Sequence, residues 1–150
     1  MNEEEIKSAK LYALRRLNSQ AMLSKNLADA LVDRGYCPET VDFVIGELTR
    51  LQYLNDDEWM ESYLRVQMAR KVGPHLIRGK LAEKGISNEK ISALLEGLEE
   101  EKQKETILAL LSSKYQKRNV NDYKERQKVI ASLARRGFDL SLILSCLRDR

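Results

Sequence analysis

Leucine, isoleucine and valine recur along this chain at spacings of three and four, the interval that returns side chains to one side of an α-helix. Three such stretches align without gaps around a glycine. They are Leu27-Ala-Asp-Ala-Leu31-Val-Asp-Arg34-Gly35-Tyr36, Ile77-Arg-Gly-Lys-Leu81-Ala-Glu-Lys84-Gly85-Ile86 and Val129-Ile-Ala-Ser-Leu133-Ala-Arg-Arg136-Gly137-Phe138. The register continues downstream: Val41, Ile91 and Ile143 each stand six residues past their glycine, and Val44/Ile45, Leu94/Leu95 and Cys146/Leu147 stand nine and ten past it. Leu48 and Leu98 agree again at thirteen.

Each shared column has a physical reason. Apolar residues four apart face one core. A basic residue in the last turn suits the negative helix end, and glycine after it takes the left-handed conformation that stops the helix. Ser87 and Asp139 then cap the next helix; Cys37 stands in the same column as a poor cap, with Pro38 suited to the first helical position after it.

With a further amphipathic run upstream of each glycine-stopped helix, the pattern predicts three helices per unit and nine in all. Their expected spans are 3–17, 20–34, 39–52, 57–71, 74–84, 88–102, 104–116, 122–136 and 140–149, with Asn55-Asp56 and Asn121-Asp122 read as caps. The fold class expected is all-α: three tandem three-helix repeats, residues 1–56, 57–103 and 104–150, stacked into an elongated, curved array.

Composition agrees with helices. Two prolines, seven glycines and 33 % charged residues leave almost no sheet to expect. The two cysteines, Cys37 and Cys146, form no CxxC, which offers neither a redox pair nor a zinc knuckle. The acidic start Met1-Asn-Glu-Glu-Glu5 lacks the features of a secretory signal, and no run approaches the roughly 20 apolar residues of a spanning helix. A cytoplasmic protein is expected, without membrane contact.

Net charge is only +3, but it is unevenly spread. Residues 1–58 carry 7 basic and 11 acidic side chains, whereas 59–91 carry 7 and 3, and 114–136 carry 8 and 2. The first unit is therefore acidic, and the second and third each hold a basic block.

No catalytic constellation is offered. His75 is the only histidine, so neither a multi-histidine metal site nor a Ser-His-Asp set with a spare histidine can be assembled; His75 reads as a partly exposed residue at a helix start. Gly73-Pro-His-Leu-Ile-Arg-Gly79-Lys80 imitates a phosphate-binding loop, but five residues separate the glycines where that motif has four, and Leu81 replaces its Ser or Thr. The register puts Gly79 and Lys80 inside a helix. Glu99-Glu100-Glu101 points in different directions on a helix and reads as solvated charge at a helix end. Cys146 falls in an apolar column, and Trp59 with Tyr63 reads as packing. No enzyme, no metal and no cofactor is expected.

The basic blocks are the informative polar feature. Lys124, Lys128 and Arg135 fall within about 40° of one another at 100° per residue, on a face turned away from Val129 and Leu133. Lys114, Lys117 and Arg118 lead into that helix. The second unit offers Arg65, Arg70, Lys71, Arg78, Lys80 and Lys84 in a less orderly set. Such surfaces bind phosphate backbones or acidic protein grooves. Aromatics are not interleaved with them as single-strand stacking platforms require, which favours a polyanionic assembly over base reading.

Two stretches resemble the bacterial RecX family of regulatory proteins, modulators of the RecA recombinase. Leu48…Leu51-Gln-Tyr53-Leu54-Asn55-Asp56-Asp57-Glu58-Trp59…Tyr63-Leu64…Arg70 is similar to that family's "L…GYLDD..FA..Y…R" segment, and Gly73-Pro74…Leu76-Ile77…Leu81-Ala82-Glu83-Lys84-Gly85-Ile86 to its "G..RI..EL..KGI". Arg135-Arg136-Gly137-Phe138 is similar to the closing "RRGF", and the likeness runs over residues 10–147. Departures are Met22-Leu23 and Asn26-Leu27 where the family often has Arg-Ser and Glu-Leu, Gln52 where glycine is common, and His75-Leu76 where a basic pair is frequent.

The resemblance implies a monomeric, non-enzymatic regulator that lies in the groove of the RecA–single-stranded DNA filament and restrains ATP hydrolysis, strand exchange and coprotease activity, in recombination, repair and the SOS response. The basic residues named above would meet RecA and the strand, binding single-stranded DNA weakly and without sequence preference. Two alternatives stay open at this point: a free-standing DNA-binding module with helix-turn-helix-like pairs, and an adaptor that binds partners through apolar surface.

Overall fold

The computed structural model describes residues 2–98 and 100–148. Those residues form nine helices and no strand: α1 (Glu3–Ser19), α2 (Ser24–Asp33), α3 (Pro38–Arg50), α4 (Asp56–Ala69), α5 (Pro74–Glu83), α6 (Asn88–Leu95), α7 (Glu100–Ser112), α8 (Tyr123–Arg135) and α9 (Leu140–Arg148). The chain divides into two compact units, Met1–Tyr63 and Leu64–Arg150, with the division inside α4.

In the first unit α1 and α2 pack on α3. The core joins Ala9 and Ala13 of α1 to Leu27 and Leu31 of α2, to Val41, Val44 and Leu48 of α3, and to Leu54 beyond it. The small side chains of α1 let its backbone come close to its neighbours. In the second unit α7 and α8 pack on α9 around Ile107, Leu111, Val129, Leu133, Ile143 and Leu147, and α5 pairs with α6. Cys146 is buried in that core, as its column requires. Trp59 and Tyr63, four apart on α4, stack with ring centroids 5.1 Å apart.

The glycine register does what its columns require. Gly35, Gly85 and Gly137 have φ of 94°, 87° and 101°. After each, the next amide donates back five residues: Tyr36 to Leu31, Ile86 to Leu81 and Phe138 to Leu133, all at 3.3 Å. These bonds satisfy carbonyls that the helix end leaves open.

Two further stops carry no glycine. Gln52 and Lys71 adopt φ of 64° and 61°, and Tyr53 and Val72 donate to the carbonyls of Leu48 and Gln67 at 2.9 and 3.1 Å. The expected spans 39–52 and 57–71 overrun because neither residue advertises a left-handed turn; α3 ends at Arg50 and α4 at Ala69.

Caps explain the other boundaries. Ser87 and Asp122 accept from Lys90 and Glu125 amides, Asp139 accepts from the Ser141 amide, and Cys37 makes no side-chain cap bond before Pro38. Asn55 caps α4 by accepting from the Glu58 amide at 3.1 Å. Asp56 does something else: its carboxylate accepts from the amide and the hydroxyl of Ser24, at 2.8 and 3.1 Å. That remote cap starts α2 at Ser24 instead of residue 20, with Leu23 buried just before it. The expected helix 88–102 stops at Leu95, because the chain turns at Glu96-Gly97, where glycine is a costly helix residue. α7 therefore begins early, with Glu100 and Glu101 in its first turn, where the helix dipole favours acids; Glu99 lies outside the described residues.

Candidate nucleic-acid interface

The third repeat gathers its charges. Lys114, Arg118, Lys128 and Arg135 line one cavity of about 280 Å³ between the segment after α7 and the outer side of α8, with Tyr115, Val129 and Ser132 completing its wall. Three local causes produce it. Leu110 accepts from the Tyr115 amide at 3.0 Å, which turns the chain after α7. The Tyr115 ring, 6 % exposed, then enters the core, and its hydroxyl hydrogen-bonds that of Ser132 on α8. The Asp122 cap finally starts α8, and helical spacing puts Lys128 and Arg135 together on its exposed face.

The electrostatics are one-sided. The Lys114 ammonium lies 5.7 Å from the centre of the Tyr115 ring. Arg118 pairs with Glu125 at 2.9 Å, so its charge is shared; among the described residues no acid pairs with Lys114, Lys128 or Arg135. Lys117 and Lys124 are exposed beside this cavity without lining it. What the arrangement can do is hold an oxyanion: four cations border an open recess.

The second repeat's basic residues are not brought together in this way. Arg78 donates to the Ser92 hydroxyl at 3.2 Å and lines a separate cavity of about 440 Å³ with Pro74, His75, Leu95 and Glu96. Arg65 and Arg70 are exposed, while Lys71, Lys80 and Lys84 are half-buried. His75 is exposed at the start of α5, and its amide donates to the Gly137 carbonyl at 3.0 Å. Gly79 and Lys80 lie inside α5, which removes any phosphate loop there.

Two residues escaped the sequence reading. Arg136, next to Arg135, turns inward and donates to the carbonyls of Lys71 and Arg70 at 3.2 and 3.4 Å. Tyr123, the first residue of α8, is 74 % exposed immediately before Lys124. The signal for both was position: Arg136 sits on the α8 side that carries Val129 and Leu133, and Tyr123 on the side away from it.

Among the described residues no group of three or more His, Cys, Asp or Glu is placed to hold a metal, and no helix is long and apolar enough to cross a membrane.

A family model described as the third three-helix domain of RecX matches residues 100–147. Regulatory protein RecX of Legionella pneumophila (strain Corby) is 30% identical over 137 residues, which cover 91% of each chain. The RecX proteins of Clostridium perfringens (strain 13) and Listeria monocytogenes are 28% and 31% identical; this chain spans 71% and 55% of their lengths. The crystal structure of RecX from Lactobacillus salivarius superposes with a TM-score of 0.87 at 24% identity, covering 99% of this chain and 97% of that one.

Proposed function

The chain belongs to the RecX family of regulatory proteins, and on that footing we propose that it acts on the RecA–single-stranded DNA filament. In this reading it lies in the filament groove as a monomer in the cytoplasm and does no chemistry of its own. It lowers RecA ATP hydrolysis, strand exchange and coprotease activity by occupying the surface those reactions need.

The observation that carries the reading is the convergence of Lys114, Arg118, Lys128 and Arg135 on one recess. A strand of DNA is a line of phosphates, and each one neutralised releases counterions, so affinity falls steeply with salt, with a slope of about −0.7 per phosphate for single strands. The less ordered basic residues of the second repeat (Arg65, Arg70, Lys71, Arg78, Lys80, Lys84) would add weaker contacts to strand or filament. Tandem units along a repetitive filament raise one another's effective concentration, so weak individual contacts suffice.

The test is a titration of RecA ATPase on single-stranded DNA. Wild type lowers the rate; a variant with Lys124→Glu, Lys128→Glu and Arg135→Glu keeps its helicity by circular dichroism and loses the effect. Undiminished inhibition by that variant refutes the surface, and a wild-type chain without effect on RecA refutes the function. A free-standing DNA-binding module would instead protect a defined duplex sequence in footprinting.

A further inference from the structure

Tyr123 is the most exposed of the large apolar and aromatic side chains among the described residues, at 74 %. Among those residues its ring makes no stacking contact and its hydroxyl no hydrogen bond. An aromatic ring left in water at the head of a well-capped helix is available surface. Its neighbours on α8 give that surface a direction. At 100° per residue Tyr123, Ala134, Gln127, Ala131, Lys124, Arg135 and Lys128 share a sector of about 140°, and every one of them is exposed. Ala131, Ala134 and Gln127 are short or uncharged, so the sector is a low track with the aromatic at one end and cations along one border.

Lys128, which lines the recess, is five residues on from Tyr123, about 7.5 Å along the helix axis. The two also stand about 140° apart round the helix, which puts their side-chain tips on the order of 15 Å from each other, about two nucleotide steps. The nearby acids are already engaged: Asp122 accepts from the Glu125 amide at 3.1 Å, and Glu125 pairs with Arg118.

We propose that the third repeat grips single-stranded nucleic acid in two parts, a backbone phosphate in the recess of Lys114, Arg118, Lys128 and Arg135 and a base about two nucleotides along the strand stacked on the ring of Tyr123. The inference rests on the reading of this repeat as the contact for the filament's strand, and it adds a preference that charge alone cannot give. A phosphate recess accepts duplex and single strand alike, whereas an exposed ring needs a base free of its partner and accepts any base, since every base has a π-face. Binding is therefore selective for single strands and indifferent to sequence.

The experiment uses the full chain without RecA. Binding of a fluorescent oligothymidylate is compared with that of an abasic sugar-phosphate strand of equal length, at several salt concentrations, for wild type, Tyr123→Phe and Tyr123→Ala. Wild type and Tyr123→Phe should prefer the thymidylate; Tyr123→Ala should lose about tenfold of that affinity, bind the abasic strand as wild type does, and keep the salt slope. Equal wild-type affinity for the two strands, or no loss in Tyr123→Ala, overturns the stacking contact. A RecA ATPase unaffected by a chain that shows the thymidylate preference would instead count against the filament reading and leave the nucleotide grip standing.

Discussion

Gly73 and Gly137 meet backbone to backbone: a Cβ on Gly73 would come within 2.5 Å of the Gly137 carbonyl oxygen, and one on Gly137 within 2.5 Å of the Leu76 amide nitrogen. The Gly73 amide donates to the Arg136 carbonyl at 2.7 Å, and the His75 amide to Gly137 at 3.0 Å. Two carbonyls just past the end of α8 thus accept from amides at the start of α5. The Gly-Pro and Arg-Arg-Gly-Phe segments, more than sixty residues apart, are two halves of one joint.

That joint has no room for a methyl group. Gly73→Ala should destabilise the protein by about 1–3 kcal/mol through overpacking against backbone that cannot yield. Gly137→Ala should do at least as much, since φ there is 101° as well. Gly79, inside α5 with nothing within 4 Å of a Cβ, is the control: Gly79→Ala should stabilise by about 0.4–1 kcal/mol. Urea unfolding of the three variants measures all three values.

The adjacent arginines of α8 should separate binding from stability. Arg135 is exposed at the recess, so Arg135→Ala should leave the unfolding midpoint within about 0.5 kcal/mol of wild type and reduce the salt slope of single-strand binding by about 0.7. Arg136 holds the end of α4 through the carbonyls of Lys71 and Arg70. Arg136→Ala should cost about 1 kcal/mol of stability and leave the salt slope unchanged. Denaturant melts and salt-dependent anisotropy on the same two proteins decide it.

How much of this was legible in the sequence depended on whether a residue's role was local. Gly35, Gly85 and Gly137 announced their turns because glycine alone enters the left-handed region without steric cost; Gln52 and Lys71 enter it too, held by the bonds behind them, and nothing in their side chains said so. Asn55 capped its own helix as expected, while Asp56 capped α2 from thirty-two residues away, a pairing only the tertiary fold creates. The recess followed the same rule. Helical spacing put Lys128 and Arg135 on one face, but Lys114 and Arg118 join them only because the chain turns at Tyr115. In the second basic block, Arg78 lines a cavity beside His75 whose wall holds none of the block's other five residues.

The first unit holds a carboxylate whose charge should be visible in the pH dependence of stability. Glu5 on α1 accepts from the Cys37 amide at 2.9 Å, just ahead of α3. That bond holds its carboxyl below the ordinary carboxylate value, outweighing the opposing effect of desolvation. A depressed folded-state value means that the unfolded chain takes up the proton first as pH falls. The stabilisation is therefore complete above the unfolded carboxylate value and is lost as pH drops through the folded one. Glu5→Gln keeps an oxygen acceptor and removes the charge. It should be less stable than wild type at neutral pH, with the two curves converging in the acid range. Thermal melts across that range test it: a difference that stays constant to the lowest pH would show that the Glu5 charge contributes nothing to the joining of α1 to α3.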